Sequence, residues 1–233
     1  MSTVRDNVIQ FSAPPFDPSQ GFYLRPSAAR LARVPLPTLR LWDKKGIVPP
    51  TVCWTGGQRT DAFGYTFEGL VYLRLIRMMR ETERPFPMRK IVDTIKYLVT
   101  QFGPPGPKWV EARIVSDERD LWIQQPVVAA ASRSGQMPLQ VFFDQEFALF
   151  GEREDALLIP GEFMPWVEIK PALRNGMPII RGTGIETAII HAAFNQGLTT
   201  SALRRRYPFL TVPQINHSEG FEAFLDNPEA CAA

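Results

Sequence analysis

Apolar residues recur at helical spacing over much of the first half of the chain. From Thr66 onward they follow mixed steps of three and four, and over residues 88–99 they form an i, i+3, i+4, i+7 stripe. Residues 26–46 read as two shorter helical stretches separated by a break at Val34-Pro35. The pattern therefore predicts a pair of short helices followed by two longer ones.

The pattern changes after the Pro- and Gly-rich stretch at 103–108. Over 109–160 helical periodicity is weak, apolar residues alternate, and a Gly turn separates two apolar runs, which predicts a small β-containing segment. Two short apolar runs follow Trp166 and lead into three short helices. These helices are expected at residues 187–196, 200–207 and 212–225. Thr199 is a candidate N-cap, and Thr211 with Gln214 matches a capping box.

These shifts in pattern predict a mainly α protein built of separate parts. Residues 1–21, rich in Pro, Ser and Asp, are expected to form a flexible arm. The predicted parts that follow are a helix-turn-helix domain, a β-containing middle segment and a small three-helix module, at residues 22–102, 109–160 and 166–225.

Charge divides the chain where the pattern does. Residues 1–108 hold 16 Lys and Arg against 8 Asp and Glu, and residues 109–233 hold 10 against 16. A basic front and an acidic back indicate a polyanion-binding domain joined to a different one, unless the clustering is chance. No apolar run approaches the ~18 residues of a membrane span. The two cysteines fit neither a disulfide framework nor a metal site, so we expect a cytoplasmic protein without a membrane partner.

Residues 26–46 have the spacing of a helix-turn-helix. Leu39 and Trp42 lie three positions apart and are expected to face the first helix. Such a second helix suits the major groove of DNA, with its first turn at the bases and its basic end at phosphates. A structural hairpin with a solvated basic edge is the alternative. The side chains expected to point outward are Thr38, Arg40, Lys44 and Lys45.

Residues 22–99 resemble the MerR-like winged helix-turn-helix family. The resemblance is carried by Tyr23 and AARLA, by TLRLW and DKKGIV, by a glycine-containing wing and by the helix YTFEGLVYLRLI. It implies a second helix in the major groove and a wing on the flanking backbone, with Arg59 and Tyr65 as the wing contacts. The long coiled-coil helix and the regulatory metal-binding cysteines of that family are missing, which argues against metal sensing.

The reactive residues of the chain form no recognisable catalytic pattern. His191 and His217 are the only histidines, and none of the common hydrolase, zinc or redox motifs occurs. The sequence therefore predicts no catalytic site, no metal and no cofactor. RGTGIET, at 181–187, lacks the Lys of a phosphate loop. It is better explained as a turn made by Gly182 and Gly184, with Thr187 capping the next helix.

Residues 166–225 resemble a small family of unknown function, number 433. The matching residues are Ile169-Lys170-Pro171, GMPIIRGTGI and RRRYPFLTVPQI, although Gly184 stands where that family usually has Arg. The pairing of this module with a MerR-like domain resembles VapB-type antitoxins of type II toxin–antitoxin systems. The resemblance implies a protein that binds operator DNA, represses its own operon and neutralises a PIN-like ribonuclease toxin. Because operator binding usually needs two half-sites, we expect a homodimer. The candidate toxin contacts are Arg181, Arg204, Arg205 and Arg206.

A second interpretation keeps the front domain and changes the back. The chain would then be a stand-alone MerR-like transcriptional regulator whose back half senses a small molecule. The gene beside this one would discriminate the two, because an antitoxin requires a neighbouring toxin.

Overall fold

The fold is mainly helical, as the sequence predicts. The computed structural model describes residues 18–50, 52–54, 62–81, 85–103, 113–116, 121–124, 140–141, 153 and 155–227, and the account below concerns these. They contain seven α-helices, which are α1 (Arg25–Leu31), α2 (Leu36–Lys45), α3 (Phe67–Arg80), α4 (Met88–Phe102), α5 (Thr187–Asn195), α6 (Thr200–Arg206) and α7 (Val212–Asp226). None of these helices has the length and hydrophobicity that a bilayer span requires.

Eight short strands form three small antiparallel sheets. The strands are β1 (Tyr23–Leu24), β2 (Val52–Trp54), β3 (Ala62–Tyr65), β4 (Arg113–Ser116), β5 (Leu121–Gln124), β6 (Gln140–Val141), β7 (Val167–Glu168) and β8 (Ile179–Ile180). Their orders are β1-β3-β2, β5-β4-β6 and β7-β8. The second sheet confirms the predicted β-containing middle segment.

The first sheet and helices α1 to α4 make up the front of the molecule. Strand β1 leads directly into α1, and its Tyr23 pairs with Tyr65 at the far end of β3. The Thr66 hydroxyl accepts a hydrogen bond from the Gly69 N–H at 3.3 Å and so starts α3 with an N-cap. Helices α1 and α2 are the predicted pair of short helices, and α3 and α4 are the two predicted longer ones, so both predictions are confirmed.

The last three helices agree closely with their predicted bounds because their ends carry local signals. Thr199 caps α6, and Thr211 with Gln214 forms a complete capping box at α7. Thr187 does not cap α5, contrary to the prediction. Its hydroxyl instead donates inward, to the Pro178 carbonyl at 3.3 Å and to Glu222.

One hydrophobic core runs through the front and the back of the chain. Buried side chains of α1 to α4 share a cluster with residues of 156–169 and with Phe221 and Leu225 of α7. A smaller second cluster lies inside the C-terminal module. Its fully buried members are Ile180, Ile190, Leu203, Leu210 and Ile215. The front domain therefore completes its core with side chains from the back of the chain.

Ion pairs reinforce the contact between α1 and α7. The Arg30 guanidinium donates to the Glu222 carboxylate at 2.6 Å and to the Asp226 carboxylate at 2.7 Å. Arg33, in the turn after α1, lies with its guanidinium carbon 4.1 Å from the ring centroid of Phe224. Basic residues of the front are thus matched by acidic and aromatic residues of the back.

Candidate nucleic-acid interface

The turn between α1 and α2 sets the direction of the second helix. Arg33 takes a left-handed backbone conformation, with φ of 56°, and the Val34 N–H bonds back to the Ala29 carbonyl at 2.8 Å. Pro35 occupies the N-cap position, and a proline in the first turn removes no intrahelical hydrogen bond. The chain therefore enters α2 without a side-chain cap, through proline geometry alone.

A Schellman motif ends α2. The Gly46 N–H donates to the Asp43 carbonyl at 2.9 Å and the Ile47 N–H to the Trp42 carbonyl at 3.0 Å. Gly46 has φ of 66°, which a residue without Cβ adopts at little cost. Buried Ile47 adds the apolar side chain that usually accompanies this motif, so the basic last turn of α2 has a fixed end.

The two faces of α2 differ sharply. Leu39 and Trp42 are buried, 0% and 6% exposed, and pack into the core as the sequence predicts. The opposite face is solvent-exposed and follows the i, i+3, i+4, i+7 spacing of one side of a helix. Its members are Pro37, Arg40, Leu41, Lys44 and Lys45. Thr38 lies at the border and is half-buried. The exposed face presents three cations with no acidic residue among them.

Asp43 ties α2 to its neighbours. Its carboxylate accepts hydrogen bonds from Arg25, the first residue of α1, and from the Tyr65 hydroxyl at the end of β3. Burial and the neighbouring Asp43 carboxylate raise the pKa of Tyr65, so the phenol remains a donor at neutral pH. One carboxylate therefore fixes α2 against both α1 and the wing sheet.

This arrangement corrects the expected role of Tyr65. Its side chain is 0% exposed, so it offers no surface to DNA and instead supports α2 through Asp43. Arg59, the other predicted wing contact, lies outside the described residues.

The RGTG corner is a backbone turn. Gly182 and Gly184 both adopt positive φ, 76° and 69°, as the sequence predicts. The Arg174 guanidinium donates to the Gly184 carbonyl at 3.0 Å and braces the corner. Arg181 is exposed, but it lies close to the buried carboxylate of Glu168.

Glu168 neutralises part of the positive charge at this corner. Its carboxylate meets the Lys170 ammonium at 3.0 Å and accepts from the Gly182 N–H at 3.3 Å. Burial alone would raise the pKa of Glu168, but Lys170, the Gly182 N–H and Arg181 together hold it below its usual value. Glu168 therefore interacts electrostatically with Arg181, although the two side chains form no ion pair.

The second group of candidate contacts lies at the other end of the C-terminal module. Arg204, Arg205 and Arg206 form the last turn of α6 and are all exposed. None of the three forms an ion pair with another described side chain. Phe209 follows in the loop to α7, 63% exposed, with its ring 6.2 Å from that of Tyr207. We call Arg204–Arg206 with Phe209 the distal corner.

Helix α7 connects the distal corner to the helix-turn-helix. It begins at Val212, shortly after Phe209, and reaches α1 through Glu222, ten residues later, which is about 15 Å at 1.5 Å per residue.

Comparison with known families identifies the front of the chain. Residues 26–103 match the family described as MerR HTH family regulatory protein. The front of the chain thus contains a MerR-like helix-turn-helix region. The match covers α1 to α4 and the wing strands, and such a domain indicates DNA-binding transcription regulation.

The back of the chain matches a different family. Residues 167–218 match a family described as a protein of unknown function, DUF433, whose description gives no activity. The structure is also similar to the crystal structure of Rv2018 from Mycobacterium tuberculosis. The TM-score is 0.50 at 15% identity, over 84% of this chain and 96% of that one, so the likeness concerns the fold alone. No curated protein matches the chain.

Two residues of the MerR-family domain escaped the sequence analysis. Leu41 was passed over because an apolar residue beside Trp42 reads as core, yet it is 47% exposed. Helical spacing could have predicted this exposure. Leu41 lies four positions before Lys45, on the same face of the helix, whereas Leu39, two positions away, lies on a different face. No sequence pattern indicated the role of Asp43, because Arg25 and Tyr65 are remote from it in sequence and reach it only in the folded chain.

Proposed function

We propose that this protein is a DNA-binding antitoxin of a type II toxin–antitoxin system that represses its own operon and neutralises a PIN-like ribonuclease toxin. The observation that carries the DNA half is the exposed face of α2, on which Arg40, Lys44 and Lys45 lie with no acidic neighbour on that face. Helix-turn-helix proteins of this kind bind two half-sites as dimers, and a homodimer is part of the proposal.

Phosphate contacts are the role proposed for the basic end of α2. Lys44 and Lys45 lie in its last turn. An ammonium group there interacts favourably with the helix dipole and can also bind the phosphates of the DNA backbone. Thr38 and Arg40 lie nearer the first turns, and in this proposal they meet base edges or the adjacent backbone.

The toxin half of the proposal rests on the distal corner. A ribonuclease that holds Mg²⁺ with clustered carboxylates presents an acidic groove, and exposed arginines complement such a groove. Arg204, Arg205 and Arg206 have no described acidic partner within the chain, whereas the charge of Arg181 is partly offset by the nearby Glu168 carboxylate. The three arginines are therefore favoured over Arg181 as the inserted residues.

Charge reversal tests the DNA half. In Lys44→Glu/Lys45→Glu, the slope of log K against log salt for binding to the gene's own promoter should become shallower by about 3.6, because the proposed homodimer loses four phosphate contacts, two from each subunit. The matched control is Arg204→Glu/Arg205→Glu, which makes the same change of charge on the distal corner and should keep the wild-type slope. An unchanged slope in the lysine variant would remove α2 from the DNA interface.

Neutralisation assays test the toxin half. The probe is the PIN-like ribonuclease encoded beside this gene, titrated with full-length protein while RNA cleavage is followed. Replacing Arg204, Arg205 and Arg206 by Ala should weaken inhibition about tenfold or more, as loss of a central arginine cluster does at protein interfaces.

The Lys44→Glu/Lys45→Glu protein is the control in this assay and should inhibit like wild type. Weakened inhibition by Arg181→Ala with an unaffected triple variant would move the contact to the RGTG corner. A neighbouring gene product that does not bind at all would contradict the antitoxin proposal while leaving DNA binding intact.

A further inference from the structure

The exposed face of α2 contains one large apolar side chain. Leu41 is 47% exposed and stands at the centre of the face, with Pro37 one turn before it and Lys44 and Lys45 one turn after it. A single exposed Leu is ordinary on a protein surface, so exposure alone carries no argument. The informative feature is instead the position of Leu41 among Arg40, Lys44 and Lys45, the cations proposed to contact DNA.

Those cations define what Leu41 meets when the domain binds DNA. If the basic end of α2 lies along phosphates, the middle of the same face points to the floor of the major groove. Each base pair offers hydrogen-bond donors and acceptors there, and the apolar group that distinguishes one base is the C5-methyl of thymine. A Leu side chain has no polar atom to pair with the other groups.

We propose that Leu41 is a specificity-determining residue that reads a thymine methyl group in each operator half-site. The inference rests on the proposed DNA binding by α2 and adds the chemical feature of the DNA that this helix selects. Burial of one methyl group against Leu41 is worth about a fourfold change in affinity.

The surroundings of Leu41 hold the side chain where such a contact requires it. Leu39 and Trp42 anchor α2 in the core on the opposite side, and Asp43 fixes its rotation against α1 and β3. Because Leu41 is outside the core, shortening it should leave the stability of the domain unchanged within about 0.5 kcal/mol. DNA readout and folding can therefore be separated.

The test removes the methyl group from the DNA and from the protein in turn. Full-length wild-type protein is first used to select a binding duplex from a random pool. Each thymine of that duplex is then replaced by deoxyuridine, which lacks the C5-methyl and keeps every hydrogen-bonding group. Affinities for these duplexes are measured for wild type, Leu41→Ala and, as a control for overall binding, Lys44→Ala.

At one thymine per half-site, deoxyuridine should weaken wild-type binding about fourfold and should not weaken Leu41→Ala any further. Lys44→Ala should bind all duplexes more weakly and keep the wild-type response to deoxyuridine. Equal losses in wild type and Leu41→Ala, or no methyl-sensitive thymine, would overturn the role of Leu41 with DNA binding intact. Failure of the wild type to enrich any sequence would overturn this inference together with specific DNA binding.

Discussion

Tyr23 shows how one side chain can join two parts of a protein. It is fully buried at the start of the wing sheet, and its hydroxyl donates to the Gly176 carbonyl, 153 residues away, at 2.7 Å. Gly176 closes a turn in which Arg174 and Asn175 also have positive φ. The Phe22 N–H adds a second bond to the Asn175 carbonyl at 3.2 Å. The turn is thereby fixed to strand β1 of the first sheet.

Replacing Gly176 with Ala should be more destabilising than its backbone conformation explains. Positive φ costs an Ala about 1 kcal/mol, and a Cβ at Gly176 would in addition overlap the Tyr23 hydroxyl and break a buried hydrogen bond worth about another 1 kcal/mol. Gly197 is the matched control, because it has φ of 83° and no atom within 4 Å of its Cβ position. Urea unfolding of both variants measures the difference, and equal losses would contradict the role of Tyr23.

At the level of elements, local signals decided what the sequence could predict. The ends of α6 and α7 were predicted to within one residue because Thr199 and Thr211 cap them through neighbours in the sequence. The Thr187 prediction failed because its hydroxyl bonds to Glu222, which is remote in sequence and belongs to another helix. Caps are local, whereas the choice between a cap and a buried partner depends on packing.

The same distinction explains which side chains of α2 and β3 were placed correctly. The i, i+3 spacing of Leu39 and Trp42 identified the buried side of α2, and Arg40, Lys44 and Lys45 were correctly expected on the outside. Tyr65, which the family resemblance implied as a wing contact, is instead buried and donates to Asp43. Its burial results from the packing of α2 across the sheet, a relation that residue spacing does not contain.

At the scale of the whole molecule, the front and back form one hydrophobic unit. Phe163 and Phe221, with ring centroids 5.6 Å apart, belong to the same core as α1 to α4, and Arg30 pairs with Glu222 across the contact. The opposite net charges of the two halves meet in part at this contact. Sequence patterns locate segments but do not report which segments share a core.

Removing residues 162–233 should therefore unfold the helix-turn-helix domain as well. The deletion would expose apolar side chains of α1 to α4 that Phe163, Ile169 and Phe221 now cover. We expect the truncated chain to lose its near-ultraviolet circular dichroism and its cooperative urea transition, with a much reduced m-value. A truncated chain that unfolds cooperatively and still binds promoter DNA would show that the front domain folds independently.

The core shared by the front and the back also has a consequence for the lifetime of the protein in the cell. A ligand raises the free energy of every open form that has lost its binding site, by about 2.7 kcal/mol when the ligand concentration is 100 times its dissociation constant. Because α1 and α7 are joined by Arg30 and a shared core, operator DNA bound as proposed would also protect from proteases those parts of the back whose opening disrupts the front. Turnover of the protein would then follow the occupancy of its own promoter.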